Sequence, residues 1–160
     1  MERRTLLHGG IGAALAALAR DAGAAEACTS DPANTSLLDR YAASVNAHDT
    51  ARFPDLFTEG YVQHSGRSPS GLPAQVATFQ RLFATMPDLS LRIDDRVIAG
   101  DKVVARTSYS ATHTQTLRGV PPTGKPFTFQ TIDIWRVQDG KFAEHWDLTN
   151  VAEVLQGLKT

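Results

Sequence analysis

Cysteine is almost absent from this sequence, which has a single one at position 28. One cysteine excludes an internal disulfide and a metal cluster built from several thiolates. The chain also lacks the GxSxG segment of acyl-transfer enzymes and the HExxH spacing of zinc hydrolases. PPTGK (residues 121–125) has the Gly-Lys pair of a phosphate-binding loop without its remaining residues, and it leads into a strand pattern. These absences leave neither a nucleophilic nor a metal-based mechanism favoured.

An excess of charge of one sign is absent as well. Sixteen basic residues face seventeen acidic ones, for a net charge of −1. The sequence has no basic stripe of the kind that would indicate a nucleic acid partner. The longest apolar run has about 11 residues, too few to span a bilayer. With 160 residues and 42% hydrophobic content, the chain is sized for one soluble domain with a substantial core.

Residues 1–27 differ in composition from the rest. They combine Arg3 and Arg4, the apolar run and an Ala-Glu-Ala end. This order is typical of a twin-arginine export signal and predicts a periplasmic or extracellular protein. An Ala-rich extension or a misassigned start codon would give the same pattern, and the protein would then be cytoplasmic. Residues 28–35 are rich in turn-forming types and predict a linker, which leaves a folded domain over residues 36–160.

Helical periodicity dominates the first half of this domain. A polar cap within residues 34–36 precedes apolar residues spaced near 3.6, at Leu37, Leu38, Tyr41 and Val45. Further helices are expected over residues 50–57 and 72–85, with a short strand or extended turn at residues 59–66 between them.

From residue 89 onward the period changes to two. Residues 89–98, 102–115, 127–137 and 141–149 read as four consecutive strands. The sequence therefore predicts an α+β fold, in which N-terminal helices pack on one side of a curved antiparallel sheet.

The last hairpin decides which way its polar residues point. A three-residue loop with a bulge at Gly140 pairs Val137 with Lys141, and it sets Asp133 opposite His145. Thr131, Asp133, Trp135, His145 and Asp147 then share the helix-facing side, whereas Ile132, Ile134, Phe142, Trp146 and Leu148 share the outer side. A two-residue Asp-Gly turn would instead separate Asp133 and Asp147. We favour the bulged loop because it separates apolar from mixed residues, and the apolar outer face then predicts a homodimer.

Asp147 is the principal candidate for catalysis. Partial burial beneath the helices would favour its protonated form and bring its titration closer to neutral pH. One carboxylate beside an imidazole suits removal of a proton α to a carbonyl, with Asp147 as general acid/base and His145 and Asp133 assisting. The expected substrate-binding residues are His113, His64, Tyr41, Tyr109, Trp135, Phe79 and Phe83.

Structural roles remain open for the same residues. Asp147 could be a hydrogen-bonded carboxylate at a strand end, and His145 and Asp133 could simply satisfy each other across the sheet. His113 and His64 either reach the pocket or are solvated. Isolated histidines without short ligand spacing do not favour a metal site.

The segments YVQHSG, MPDLSLRIDDRVIAGDKVVAR, THTQTLRGVPPTGKPFTFQTIDIWRV and DGKFAEHWDLTN carry a family resemblance. Together they make the sequence similar to the SnoaL-like polyketide cyclases, also called predicted ester cyclases, of the nuclear transport factor 2-like superfamily that includes ketosteroid isomerase. The resemblance extends over roughly residues 36–156.

This resemblance implies a cone-shaped α+β barrel that works without a metal or organic cofactor. The characterised cyclases close a ring by intramolecular aldol condensation, and their acid/base aspartate on the last strand matches Asp147. Described cyclases carry histidine at the position of Asp133. We expect a cofactor-independent cyclase, isomerase or lyase acting on a small apolar carbonyl compound. The alternatives are a binding or interaction module without turnover, and water activation by Asp133, His145 and Asp147.

Overall fold

The computed structural model describes residues 31–159. The predicted export signal lies outside these residues, as do residues 28–30 of the predicted linker, whereas residues 32–35 of that linker are helical. The helices are α1 (Pro32–Asn46), α2 (Phe53–Leu56), α3 (Leu72–Thr85) and α4 (Val151–Gly157), and a 3₁₀ turn at Thr50–Arg52 precedes α2. The strands are β1 (Phe57–Gln63), β2 (Ser90–Ala99), β3 (Lys102–Thr112), β4 (Pro126–Gln138) and β5 (Lys141–Thr149).

The five strands form one mixed sheet in the order β1-β5-β4-β3-β2. The four predicted strands are present as the antiparallel part, and the α+β prediction is confirmed. The segment left open as strand or turn is β1, which pairs in parallel with β5. The sheet is therefore mixed and not purely antiparallel. Within residues 31–159, no helix is both long and apolar enough to cross a membrane.

Helix α1 begins earlier than predicted. Its N-cap is Asp31, whose carboxylate accepts a hydrogen bond from the amide of Ala33 at 2.8 Å, and Pro32 occupies the first helical turn. The prediction of a cap within residues 34–36 is wrong because an aspartate followed by proline is a stronger start signal than the polar residues after it. The apolar face is as predicted, with Leu37, Leu38 and Val45 buried.

The β4–β5 hairpin uses the two-residue turn that sequence reasoning set aside. Asp139 and Gly140 both have positive φ, 51° and 71°, and Gln138 pairs with Lys141. A bulge then inserts one extra residue in β5, since Val137 pairs with Phe142 but Arg136 pairs with Glu144. This shift restores the face that the turn alone would have changed. Asp133 consequently lies opposite Asp147, and not opposite His145 as predicted.

The bulge also explains one wrong face assignment. Phe142, predicted on the outer side, is fully buried and packs against Trp135 with ring centroids 5.0 Å apart. The remaining assignments hold. Thr131, Asp133, Trp135 and His145 are buried, whereas Ile132, Ile134 and Leu148 are exposed on the outer face. The inner face therefore presents both aspartates and the histidine to the helices.

Candidate functional site

A cavity of about 480 Å³ lies between α3 and the inner face of the sheet. The sheet contributes Tyr109, Phe129, Thr131, Asp133, His145 and Asp147 to its lining, and α3 contributes Gln75, Thr78, Phe79, Arg81, Leu82 and Thr85. Tyr41 enters from α1, and Arg67 comes from the loop between β1 and α3. The cavity thus has polar and apolar residues on its helical side and mainly polar residues along β4 and β5.

Six of the ten residues expected at the site line this cavity: Asp147, His145, Asp133, Tyr41, Tyr109 and Phe79. The structure places the other four outside it. Trp135 lies under His145, with the rings stacked 4.8 Å apart. Phe83 turns away from the cavity and stacks on His48 at 4.4 Å.

His64 and His113 do not reach the cavity either. His64 points to the outer face, where it stacks on Trp146 at 4.3 Å and meets Glu144 at 2.9 Å. His113 is 2% exposed, and its Nδ1 lies 3.1 Å from the hydroxyl of Thr123. The expectation that both line the pocket was wrong because strand parity alone does not decide where these two side chains point. His64 follows the end of β1, and the loop after β3 folds back over His113.

Asp133 lies at the centre of a fully used hydrogen-bond network. Its Oδ1 is 3.0 Å from Nε2 of His145, and its Oδ2 accepts from the hydroxyls of Thr107 and Thr131. All four side chains are buried. Each oxygen of this carboxylate therefore already has a donor.

Gln63 fixes the tautomer of His145. β1 pairs Gln63 with His145 in the parallel ladder, and the Gln63 amide nitrogen lies 2.8 Å from Nδ1. The amide oxygen of Gln63 accepts from the backbone N–H of Ser65 at 3.0 Å, so its NH₂ group must face the imidazole. Nδ1 is then an acceptor, and Nε2 carries the hydrogen donated to Asp133. Adding a proton at Nδ1 would require the Gln63 amide to turn over.

Asp147 has a different environment from Asp133. Its Oδ2 accepts from the guanidinium of Arg67, which also lies 3.4 Å from the Asp147 carbonyl oxygen. Its Oδ1 is buried and has no hydrogen-bond partner among residues 31–159. Of the two cavity carboxylates, only Asp147 keeps an oxygen that no protein group occupies.

The two aspartates form a directly opposed pair on β4 and β5. Like charges in such a pair repel unless other groups compensate them. Arg67 supplies a positive charge, and the Asp133 charge in turn favours the protonated guanidinium. Burial, and then the charge of Arg118, act the other way and lower the pKa of Arg67. Of the arginines that line the cavity, only Arg67 is ion-paired with this aspartate pair, and neutral donors supply the remaining contacts.

Tyr41 and Tyr109 form a hydroxyl pair in the cavity wall, with their oxygens 3.1 Å apart. Burial raises the pKa of both phenols well above the ordinary value, so both stay protonated at neutral pH. One hydroxyl donates to the other, and the accepting tyrosine keeps its own hydrogen for a further acceptor. The pair can therefore donate a hydrogen bond to a ligand oxygen.

Two contributors escaped sequence reasoning. Arg67 lies in an irregular loop whose sequence carries no periodic signal. Gln63 is the last residue of β1. Extending the strand alternation by one residue places His64 on the outer face and Gln63 on the inner face. Among residues 31–159, no group of three or more His, Cys, Asp or Glu side chains is arranged to hold a metal ion.

Helices packed on one side of an open five-stranded mixed sheet, with a polar cavity between, define the cone fold of the nuclear transport factor 2-like class. The family model described as SnoaL-like polyketide cyclase matches residues 35–158. The chain therefore belongs to the SnoaL-like polyketide cyclase family. No curated protein matches it.

Solved structures agree with this assignment. TsrD from Streptomyces laurentii is 29% identical, with a TM-score of 0.74, and the match covers 81% of this chain and 97% of that one. IdmH from Streptomyces antibioticus, described as a putative polyketide cyclase, is 27% identical with a TM-score of 0.70, covering 79% and 98%. AclR from Streptomyces galilaeus, described as a putative hydroxylase, is 26% identical with a TM-score of 0.69, covering 78% and 94%.

Proposed function

We propose that this protein is an enzyme that removes a proton α to a carbonyl group, with Asp147 as the general base and no cofactor taking part. The observation that carries the proposal is the Asp147 carboxylate, which lines the cavity and whose Oδ1 atom has no hydrogen-bond partner among residues 31–159. A general base needs an acceptor lone pair that no other donor occupies, and Oδ1 keeps one.

Arg67 prepares Asp147 for this role. Its guanidinium holds Oδ2 and the strand carbonyl together, which fixes the carboxylate orientation. The adjacent positive charge stabilises a negative charge on this carboxylate, as a general base requires. The sequence-based expectation considered only burial, which favours the protonated form, and did not include this counter-charge.

Asp133 and His145 act as positioning residues in this proposal. Their hydrogen-bonding groups are already in use. Asp133 and His145 bond to each other, His145 also bonds to Gln63, and Asp133 also accepts from the threonine hydroxyls. His145 also stacks between Trp135 and Tyr61, at 4.8 and 6.4 Å, which holds its ring plane. A group satisfied on all sides supports its neighbours better than it exchanges protons.

The reaction follows from these positions. Asp147 takes the α-proton, and the C–H electron pair moves into an enolate whose oxygen accepts a hydrogen bond from the Tyr41–Tyr109 pair. The enolate carbon then attacks a second carbonyl of the same molecule, whose oxygen takes the proton back from protonated Asp147, or the proton returns from Asp147 to a different carbon of a conjugated enolate. The first course is a cyclisation, which agrees with the description of IdmH as a putative polyketide cyclase. The second course is an isomerisation.

Deuterium exchange tests the proposal without knowledge of the natural substrate. The methyl ester of naphthoylpropionic acid is a neutral two-ring ketone with α-protons. In heavy water, the full-length protein should replace its ketone α-protons with deuterium, as followed by proton NMR. Asp147→Asn should lower that rate by roughly 100-fold or more, the usual scale of general base catalysis.

Asp55→Asn is the matched control, because Asp55 is an exposed aspartate on α2 outside the cavity. Its exchange rate should equal that of the parent. Equal rates for the parent and Asp147→Asn would refute the assignment of the base.

A binding protein without turnover is the second candidate. The Arg67–Asp147 ion pair favours it, since a salt bridge inside a cavity is also an ordinary way to satisfy a structural carboxylate. In this case the ester would bind with measurable affinity, and neither the parent nor Asp147→Asn would exchange the α-protons of the ester.

The outer sheet face supports a further proposal, a homodimer formed through β4 and β5. Ile132, Ile134 and Leu148 are 43%, 38% and 75% exposed there. Lys102 and Glu144, on the same face, provide charges of both signs for a self-complementary contact. Sedimentation should show a dimer for the parent and a monomer for Leu148→Glu. A monomeric parent would exclude this interface.

A further inference from the structure

Three arginines line the cavity with their side chains partly in solvent: Arg67, Arg81 and Arg118. Of these three arginines, only Arg67 forms an ion pair with a residue of the range 31–159, and its partner is Asp147. Arg81 donates to the hydroxyl of Thr78 at 3.1 Å, a neutral acceptor. Arg118 has neither an ion pair nor a hydrogen bond to any residue of this range. The cavity rim thus carries two positive charges that no carboxylate of the described residues neutralises.

The charges of these arginines also act on each other. Arg118 is near enough to Arg67 to contribute, after burial, to lowering the pKa of its guanidinium. This means that the two guanidiniums repel each other in the free protein. A ligand anion beside Arg118 would relieve that repulsion, because it would add a negative charge at the point where positive charge has accumulated.

The backbone directs Arg118 to this position at some cost. Arg118 and Gly119 have φ values of 49° and 76°, and Leu117 and Val120 close the turn with mutual hydrogen bonds of 3.0 and 2.9 Å. A left-handed conformation is unfavourable for a residue with a Cβ, so glycine or asparagine is the usual choice there. The tight turn nevertheless presents an arginine to the cavity, next to Thr116 and Leu117 of the same lining.

We propose that Arg118, assisted by Arg81, binds an anionic group of the substrate, and that the substrate is a carbonyl compound carrying a carboxylate. The apolar part of such a molecule would pack against Phe79, Leu82 and Phe129, which line the same cavity. The carbonyl half of this statement rests on the proposed function. The anion-binding half rests on the arginines alone. Arg118 is therefore a specificity-determining residue that takes no part in proton transfer.

A matched pair of probes tests the anion site. Naphthoylpropionate and its methyl ester differ in one negative charge, and binding of each to the full-length protein can be followed by quenching of tryptophan fluorescence. At low salt the acid should bind roughly tenfold more tightly than the ester, since a guanidinium–carboxylate contact is charge-assisted. Arg118→Gln should weaken binding of the acid by roughly fivefold and leave the ester unchanged.

Two controls separate the site from general effects. Arg40→Gln removes an exposed arginine of α1 outside the cavity, and it should change neither affinity. Arg118→Gly removes the charge while suiting the left-handed turn, so it should reproduce the effect of Arg118→Gln with the fold intact. An acid that binds no better than the ester, or an Arg118→Gln variant that weakens both equally, would overturn the proposal.

The proposed function and the anion site fail in different ways. Absence of α-deuteration of the ester would remove the catalytic role, whereas the preference for the acid would still support the anion site. Deuteration of the ester without any preference for the acid would support the base and overturn the anion site.

Discussion

Replacing Arg67 by glutamine tests how the charge on Asp147 is maintained. Glutamine keeps a donor on a side chain of similar reach, but it removes the positive charge. The Asp147 side chain is only 12% exposed, and Asp133 lies directly across the ladder. Without Arg67, ionised Asp147 would face a second carboxylate with little water to screen them. The ionised base would therefore form less readily.

The size of the effect follows from the geometry of the pair. Opposite unit charges about 4 Å apart near a protein surface attract by about 4 kcal/mol. The Arg67 side chain is 34% exposed, so solvent screening lowers the useful part to roughly 1 kcal/mol or less. The rising limb of the pH–rate profile should therefore move to higher pH in Arg67→Gln, by less than about one unit.

The assay is α-deuteration of the ester probe across a pH series. Above the shifted limb, the Arg67→Gln rate should approach that of the parent, because the base is then ionised in both proteins. A matched Arg40→Gln variant should keep the parent profile. A limb that stays in place or moves to lower pH would refute the role assigned to Arg67.

Three further predictions concern folding. The first two are measured by urea denaturation and the third by acid denaturation. Phe142→Ala should lower the free energy of unfolding by about 3–5 kcal/mol, because Phe142 is fully buried against Trp135; a loss below about 1 kcal/mol would contradict its place in the core. Gly140→Ala should cost about 1 kcal/mol although nothing lies within 4 Å of an added Cβ, since φ is 71°; a neutral result would contradict the two-residue turn. The hydroxyl of Thr112, and then its backbone N–H, lower the pKa of Asp88, so this carboxylate contributes stability above its unfolded titration range that is lost as pH falls through the folded value. Asp88→Asn should therefore make acid denaturation shallower than in the parent, and equal slopes would contradict the assignment.

The fold was largely predictable because its strongest signals are local. Helix α3 was placed correctly at residues 72–85, since its apolar spacing is regular and Pro87 follows it. The four later strands alternate clearly, and their faces follow from parity. Helix α4 was missed although Val151, Val154, Leu155 and Leu158 carry a helical spacing, because the segment is short and lies at the chain end.

The hairpin shows how a correct face can follow from a wrong register. The three-residue loop and the observed combination of a two-residue turn with a bulge differ by two positions in pairing. An even difference leaves every side chain beyond the bulge on the same face. Only Phe142, which lies between the turn and the bulge, was assigned to the wrong side. Sequence alone does not place a bulge whose residues are ordinary in type.

The composition of the site was less accessible to sequence reasoning. Asp133, His145 and Asp147 were found because a regular strand fixes their direction. Arg67 belongs to an irregular loop, and its contact with Asp147 joins residues 80 positions apart. The bonds that distinguish the two aspartates depend on rotamers and on β1 joining β5 in parallel, and neither is encoded in periodicity.

The most direct measurement compares α-deuteration of the ester probe by the parent, Asp147→Asn and Asp133→Asn, with circular dichroism to confirm folding. The account predicts that Asp147→Asn lowers the exchange rate by roughly 100-fold or more. Asp133→Asn should retain a reduced rate, because it disturbs the hydrogen bond to His145 and leaves the base in place. Loss of exchange in Asp133→Asn together with retention in Asp147→Asn would contradict the account, because the proton acceptor would then be the carboxylate that already has a donor at each oxygen.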